Sequence, residues 1–201
     1  MATTDDRLGR LLEAIASKEP APASGSASAA VVATAAALLE KCARLSARTW
    51  SGSAEAHGLA HSLRLRAEEL VEEDVQAYLG YVAAVRSGTG LDSALSITVD
   101  VPLEIVRAAA AASELAGRLA AHGNPRLRAD AVAAAILAGG AARTAAMLIG
   151  VNLPPASRDR RLVEARRLAR VASARDRRLD APARPGDRDR APGRPAGTRR
   201  P

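Results

Sequence analysis

The sequence predicts an all-α fold, a bundle of about five main helices followed by a disordered, Arg- and Pro-rich C-terminal tail. Three observations support this prediction. Roughly a quarter of the residues are alanine, the strongest helix former. One tryptophan, two tyrosines and no phenylalanine argue against a β-sandwich, whose strands favour aromatic and β-branched residues. Apolar residues also recur at helical spacing in long segments that proline and glycine separate.

Proline and glycine divide the first part of the chain into two predicted helices. The first is predicted from about residue 4 to the segment Pro20–Ser26, whose two prolines end it. The second is predicted over residues 27–48. It has no charged side chain from residue 27 to residue 39, so we expect it to be buried on all sides at the centre of the bundle.

Three longer helices are predicted to follow. Helix three covers residues 53–86, between two segments that contain glycine. Helix four begins near Leu91 or after Pro102 and reaches residue 121. Asn124-Pro125 is typical of a helix start, because asparagine caps free N–H groups and proline needs no N–H at the first position. Helix five is predicted to run from there to about residue 151.

Charge is distributed unevenly along the chain. The formal net charge is +7, but residues 1–157 hold fourteen basic and sixteen acidic side chains, whereas residues 158–201 hold fifteen arginines and six acidic ones. We therefore predict a near-neutral helical domain over residues 1–153 and a basic tail over residues 154–201. The tail is predicted to be disordered after one short helix at residues 158–178. Only this tail offers a weak electrostatic affinity for nucleic acid, and no recognition motif supports more.

Several classes of protein are excluded or disfavoured. The single cysteine, Cys42, excludes a disulfide framework and any Cys-rich metal or iron–sulfur site. The first ten residues are charged and lack the apolar segment of a signal peptide, and the unbroken apolar runs are too short to span a bilayer. No Walker, Rossmann or nucleophile-elbow pattern occurs. We expect a cytoplasmic protein without membrane contact.

Helix three places one carboxylate among apolar residues. At 100° per residue, Asp74 falls between Leu70 and Tyr78 on the apolar face, whereas Glu69 and Glu73 fall on the opposite face. Burial of a lone carboxylate is costly and raises its pKa, which suits a group that exchanges protons near neutral pH. The alternative is a structural aspartate that pairs with an arginine or with backbone groups of a neighbouring helix.

Other polar residues have simpler explanations. Asp130 lies one turn into helix five, where a favourable position near the helix N-terminus and a pair with Arg126 or Arg128 explain it as well as a functional role does. His57 and His61, four residues apart, could face one metal ion. They lack a third ligand and the glutamate of a zinc protease motif, so no metal site is predicted.

Five short segments occur in a fixed order between residues 5 and 153. They are A-P-A-S-G-S at residues 21–26, E-E-D-V-Q-A-Y at 72–78, V-P-L-E at 101–104, G-N at 123–124 followed by Asp130, and V-N-L at 151–153. Each segment is weak evidence by itself. In this order and spacing they resemble the formiminotetrahydrofolate cyclodeaminase / methenyltetrahydrofolate cyclohydrolase family.

The resemblance implies an all-helical homodimer that handles a one-carbon unit on tetrahydrofolate without a metal or a cofactor. A cyclodeaminase closes 5-formimino-tetrahydrofolate to 5,10-methenyl-tetrahydrofolate and releases ammonia. A cyclohydrolase opens the methenyl ring with water to 10-formyl-tetrahydrofolate. Asp74 aligns with the carboxylate treated as catalytic in the family. The residues that the resemblance places at the substrate are Ser24, Gly25, Ser26, Asn124, Asp130 and Asn152.

Three segments depart from the family pattern. Ala23 and Ser24 stand where the family has glycines, Ala129 replaces the serine before Asp130, and residues 46–50 lack the family's basic Lys/Tyr stretch. Two alternatives therefore stay open. One is a catalytically inactive helical dimer of the same fold that acts as an interaction or scaffold protein. The other is an Arg-tailed scaffold that binds nucleic acid or an acidic partner.

Overall fold

The computed structural model describes residues 8–180, and this part of the chain contains α-helices and no strands. Six α-helices follow one another, with a short 3-10 helix, Pro125–Leu127, before the fifth. Their bounds are α1 Leu8–Ala16, α2 Ser24–Arg44, α3 Ser53–Ser87, α4 Leu91–His122, α5 Arg128–Asn152 and α6 Arg160–Asp180. The all-α prediction is confirmed.

The bundle is organised around α2, α4 and α5. Helix α4 packs against α2, α3, α5 and α6, while α2 also packs against α3 and α5. Most buried side chains are alanines, interspersed with larger residues such as Leu39, Leu70, Ile105 and Ile149. Because a methyl group is small, helices that meet through alanine approach closely and hold a core with few aromatic residues.

The predicted boundaries of α3, α4 and α5 hold closely. Helix α4 begins at Leu91, and Pro102 lies inside it rather than before it. Asn124 caps the segment that precedes α5, since its side chain accepts a hydrogen bond from the Arg126 N–H at 3.0 Å. Helix α2 begins three residues earlier than predicted because residues 24–26 form its first turn, in which the Ala27 N–H donates to the Ala23 carbonyl.

The predicted domain boundary at residue 153 is wrong for the folded unit. Helix α6 packs against α4 and α5, and it buries Leu162, Ala165, Ala169 and Ala172 in the main core. These residues recur at helical spacing, so one narrow apolar stripe is enough to dock a helix that is otherwise rich in arginine. Residues 181–201, to which the rest of the disordered-tail prediction applies, lie outside the described residues, as do residues 1–7, where the first helix was predicted to begin.

Helices α2 and α5 each contain a long apolar stretch. By length and composition alone, Ser24–Arg44 and Pro125–Asn152 are long and apolar enough to cross a membrane. About half of each segment is buried inside the bundle. Core helices of globular proteins pass the same test, so the two segments are weak evidence for a membrane span.

Candidate active site

A small cavity lies where the first turn of α2 meets α3, α4 and the end of α5. Its volume is about 130 Å³. Asp74 of α3 lines it, and none of the lining residues is basic. The other lining residues are Ala21, Ala23, Ser24, Gly25, Ala77, Tyr78, Thr98, Pro102, Leu148 and Asn152. The cavity therefore brings together Asp74 and three of the six residues predicted to contact substrate, Ser24, Gly25 and Asn152.

Asp74 is held by the first turn of α2. The Ser26 hydroxyl donates a hydrogen bond to Asp74 Oδ2 at 2.8 Å, and the Ser26 backbone N–H also interacts with the carboxylate. Ser26 itself is fully buried. Ser26 was predicted to contact substrate, but its hydroxyl is committed to Asp74, so within this chain it positions the carboxylate.

Gly25 allows this close approach. A Cβ atom at position 25 would lie 2.0 Å from Asp74 Oδ1 and 2.7 Å from Oδ2, distances that no side chain tolerates. Ala23, by contrast, has φ of −139°, which any residue adopts, and the non-glycine residues of this turn have negative φ. Of the three positions 23–25, only Gly25 must be glycine, and the chain retains it.

Burial raises the pKa of Asp74 above its ordinary value of 3.8, and the hydrogen bonds from Ser26 oppose that rise only in part. Desolvation disfavours the charged form of a carboxyl, whereas donors aimed at the carboxylate favour it. Of the two partners predicted for a structural aspartate, the described residues supply a backbone group of a neighbouring helix, the Ser26 amide of α2, together with the Ser26 hydroxyl, and no arginine. A carboxyl with this environment is suited to gain and release a proton.

Asn152 enters the cavity from the end of α5, and its orientation has a clear cause. Pro102 lacks an N–H, so the Thr98 carbonyl four residues earlier has no partner within α4. The Asn152 Nδ2 group donates to this carbonyl at 2.8 Å. The bond fixes the amide and leaves its Oδ1 as an acceptor. Sequence reasoning missed Thr98, although a proline inside a helical pattern signals a free carbonyl four residues before it.

Asn124 and Asp130 do not join this site within the chain. They lie at the opposite end of α5, and about 33 Å of helix separates Asp130 from Asn152 at 1.5 Å per residue. Asp130 forms an exposed ion pair with Lys41 at 3.1 Å, rather than with the arginines next to it in the sequence. Asn124 is used structurally, since it caps the following turn and its N–H donates to the Ser46 hydroxyl at 2.8 Å.

The other candidate residues, His57, His61 and Cys42, have structural explanations. The rings of His57 and His61 stack with centroids 6.5 Å apart, beside the ion pair of Glu40 and Arg64. No group of three or more potential metal ligands occurs among the described residues. Burial raises the pKa of Cys42 to about 11, which leaves its thiol protonated and unreactive at neutral pH.

Comparisons with known proteins identify the fold and the family. The crystal structure of formiminotetrahydrofolate cyclodeaminase from Thermotoga maritima shares 22% sequence identity with this chain, with a TM-score of 0.79. The match covers 87% of this chain and 96% of that one, and it shows a common fold. No curated protein matches the sequence. The model of the family described as formiminotransferase-cyclodeaminase matches residues 7–170, and the chain therefore belongs to that family.

Proposed function

We propose that this protein is a folate one-carbon enzyme that closes 5-formimino-tetrahydrofolate to 5,10-methenyl-tetrahydrofolate and releases ammonia. The observation that carries the proposal is Asp74, a half-buried carboxyl with a raised pKa in a small cavity that no basic side chain lines. Family membership supplies the substrate class, and the cavity supplies the group that the chemistry requires.

The reaction needs one group that first accepts a proton and then returns it. N10 of the folate attacks the carbon of the formimino group, whose nitrogen is protonated. A C–N10 bond forms, and ionised Asp74 takes the proton that N10 loses. The carbon is then tetrahedral and carries an amino group. Protonated Asp74 gives the proton to this amino group, the C–N bond breaks, and ammonia leaves with its electron pair. A raised pKa favours this cycle, because the carboxyl then changes state with little cost in either direction.

Asn152 and the first turn of α2 complete the polar surroundings of the reacting centre. Asn152 Oδ1 can accept a hydrogen bond from an N–H or a water molecule at the one-carbon unit, since its Nδ2 is held by the Thr98 carbonyl. Ser26 keeps Asp74 in one orientation. A volume of about 130 Å³ admits the one-carbon unit and its two nitrogens, so the remainder of the folate extends past the half-exposed Tyr78 at the mouth.

The geometry of the loop favours an active enzyme over an inactive scaffold of the same fold. The alanine and serine at positions 23 and 24 replace family glycines, yet the backbone there requires no glycine. The glycine that the carboxylate does require, Gly25, is present. Asp74, Ser26 and Asn152 are likewise all in place.

Hydrolysis of 5,10-methenyl-tetrahydrofolate is the second candidate reaction. Asp74 would deprotonate a water molecule as it adds to the methenyl carbon, which gives a tetrahedral carbon between the same two nitrogens. The C–N5 bond would then break as N5 takes the proton back from Asp74, and the formyl group stays on N10. Both reactions change the absorbance of the methenyl compound, so one spectrophotometric experiment tests both. We expect the wild-type protein to form the methenyl compound from the formimino substrate or to speed its loss, and Asp74→Asn to do neither. Unchanged absorbance with both substrates would refute the proposal.

Assembly, compartment and cofactor use complete the proposal. We expect a cytoplasmic homodimer that needs no metal or cofactor. Exposed apolar side chains on helices that are otherwise central support self-association, among them Ile136 and Val151 of α5. Helix α1 contributes further exposed leucines, Leu8 and Leu12. Sedimentation at micromolar concentration should show a dimer or a larger assembly, and a monomer would contradict this part of the proposal.

A further inference from the structure

A wide groove runs along the surface between α5 and α6, with a volume of about 1000 Å³. Four arginines line it: Arg143 of α5 and Arg166, Arg170 and Arg177 of α6. The floor between them is mostly apolar, formed by Ala146, Met147, Gly150, Ala169 and Ala174. None of the residues that line the groove is acidic.

The arginines of α6 form a row. Arg166, Arg170, Ser173 and Arg177 recur at intervals of four, three and four residues, so they share one face of the helix. At 1.5 Å per residue the row extends over about 16 Å. Arg166, Arg170 and Arg177 are exposed and Ser173 is buried, and the row lies beside the alanine stripe that docks the helix on the bundle, so that Ala169 belongs to both the stripe and the groove lining.

Most of this positive charge is uncompensated. Among the described side chains, Asp176 is the one acidic group within ion-pair distance of an arginine that lines the groove; it is buried, packs against Gly139 of α5, and lies 3.6 Å from Arg143. Arg166, Arg170 and Arg177 have no carboxylate partner in the described part of the chain, whereas Arg107 and Arg161 pair with acidic side chains elsewhere. Like charges gathered in a groove with apolar walls produce a strong local positive potential.

The shape of the row indicates the kind of anion that fits. Three guanidinium groups spread over about 16 Å match a linear polyanion better than a compact one, since a small anion reaches only one or two of them. A nucleic-acid strand carries a charge on every unit. A stacked strand has one phosphate for about every 3.4 Å of its axis, whereas an extended acidic peptide presents one side chain to a given face for about every 6.6 Å, so the nucleic acid has the higher linear charge density. A groove between two packed helices also admits one strand more readily than a duplex.

We propose that the α5–α6 groove binds single-stranded nucleic acid through its phosphodiester backbone. No aromatic side chain lines the groove, so base stacking contributes nothing and binding is independent of sequence. The sequence alone assigned any such affinity to a basic tail, predicted to be disordered after one short helix at residues 158–178. The fold instead places three of those arginines in a row on a packed helix.

This groove is distinct from the Asp74 cavity. Met147 and Gly150 line the groove while Leu148 and Asn152 line the cavity, and at 100° per residue the two pairs lie on opposite faces of α5. The family match ends at residue 170, so Arg177 lies beyond it. Binding in the groove therefore neither requires nor follows from the proposed folate chemistry.

The test is fluorescence anisotropy of a labelled oligothymidylate of about 20 nucleotides titrated with the full-length protein at several salt concentrations. We expect a Kd in the range of about 10⁻⁶ to 10⁻⁴ M at physiological salt, typical of backbone binding. Each arginine that neutralises a phosphate contributes about −0.7 to the slope of log K against log salt. The triple variant Arg166→Gln, Arg170→Gln, Arg177→Gln should therefore lose roughly 2 from that slope and bind at least tenfold more weakly.

A control variant removes the same net charge at exposed arginines outside the groove, Arg48→Gln, Arg86→Gln and Arg126→Gln. Circular dichroism checks that both variants fold. The control should keep most of the affinity, although residues 181–201 contribute six further arginines to the background in all three proteins. Equal losses in both variants would show a net-charge effect and overturn the proposal. It would also be overturned if a labelled oligoglutamate peptide bound as tightly as the oligonucleotide.

Discussion

Replacing Asp74 by asparagine removes the ionisable group at the centre of the cavity and keeps its shape. The asparagine Oδ1 can accept the hydrogen bond that the Ser26 hydroxyl donates at 2.8 Å. No ion pair is lost, because burial and the contacts with Ser26 account for the environment of the carboxyl. We therefore expect the free energy of unfolding at neutral pH to change by less than about 1 kcal/mol, below the 1–3 kcal/mol of an orphaned buried partner.

The sign of the pH dependence follows from the raised pKa. The folded carboxyl binds its proton more tightly than the unfolded one, so the contribution of Asp74 to wild-type stability is greatest below the ordinary pKa of 3.8 and is lost as pH rises through the raised pKa. Asp74→Asn carries no charge at any pH and lacks this decline. At neutral pH the substitution should consequently be neutral or slightly stabilising, whereas at low pH it gains nothing over the wild type.

The catalytic effect should be much larger than the effect on stability. Loss of a general acid–base group costs a factor of about 10²–10⁴ in turnover. In the wild type, kcat/KM should fall as pH drops through the raised pKa of Asp74, because the ionised form must accept the first proton. In the variant, the residual activity should lack this acidic limb.

Two measurements on the same preparation decide the matter. Chemical denaturation followed by circular dichroism gives the change in unfolding free energy, and the absorbance of the methenyl compound gives the turnover of both folate substrates. Equal turnover by Asp74→Asn and the wild type would refute the catalytic role. A loss of several kcal/mol in stability would instead show a structural interaction that the contacts of Asp74 do not reveal.

Three further substitutions or truncations test the site and the fold. Gly25→Ala should abolish activity and destabilise the protein by about 1–3 kcal/mol, because the new Cβ overlaps the Asp74 carboxylate. Denaturation and turnover assays measure the two effects. Normal turnover would show that the close approach of residue 25 to Asp74 is not needed. Asp130→Asn should leave turnover unchanged and cost less than about 1 kcal/mol, since only an exposed ion pair is lost; reduced turnover would place the residue at a site formed by a second chain. Truncation after Ser157 should lower the melting temperature by roughly 10 °C, because one leucine and three alanines of α6 leave the core. Truncation after Asp180 should leave the melting temperature unchanged. Equal melting temperatures for the two truncated proteins would mean that α6 adds nothing to the stability of the bundle.

Much of the fold follows from local sequence pattern. Alanine content, helical periodicity and the positions of proline and glycine predicted the helical class and most boundaries, because each depends on residues within one or two turns. The same local geometry placed Asp74 on the apolar face of α3 and identified Asn124 as a cap. The one large error, the boundary at residue 153, arose because the arginine content of α6 outweighed its narrow alanine stripe. Whether so small a stripe is buried depends on the surface it meets, and α4 and α5 offer a close-fitting one.

The site itself depends on contacts between residues far apart in the sequence. Ser26 and Asp74 are 48 positions apart, and Asn152 and the Thr98 carbonyl are 54 positions apart. Periodicity assigns each of these residues to a face of its own helix, but it contains no information about which faces meet or how the helices are offset along their axes. Helix packing decided that Gly25 lies against the carboxylate, that Asp130 lies a full helix length away, and that three arginines of α6 share an open groove with α5. The candidate residues could therefore be identified from the sequence. Tertiary packing decided which of them form a site together, because only the packed helices set the distances between them.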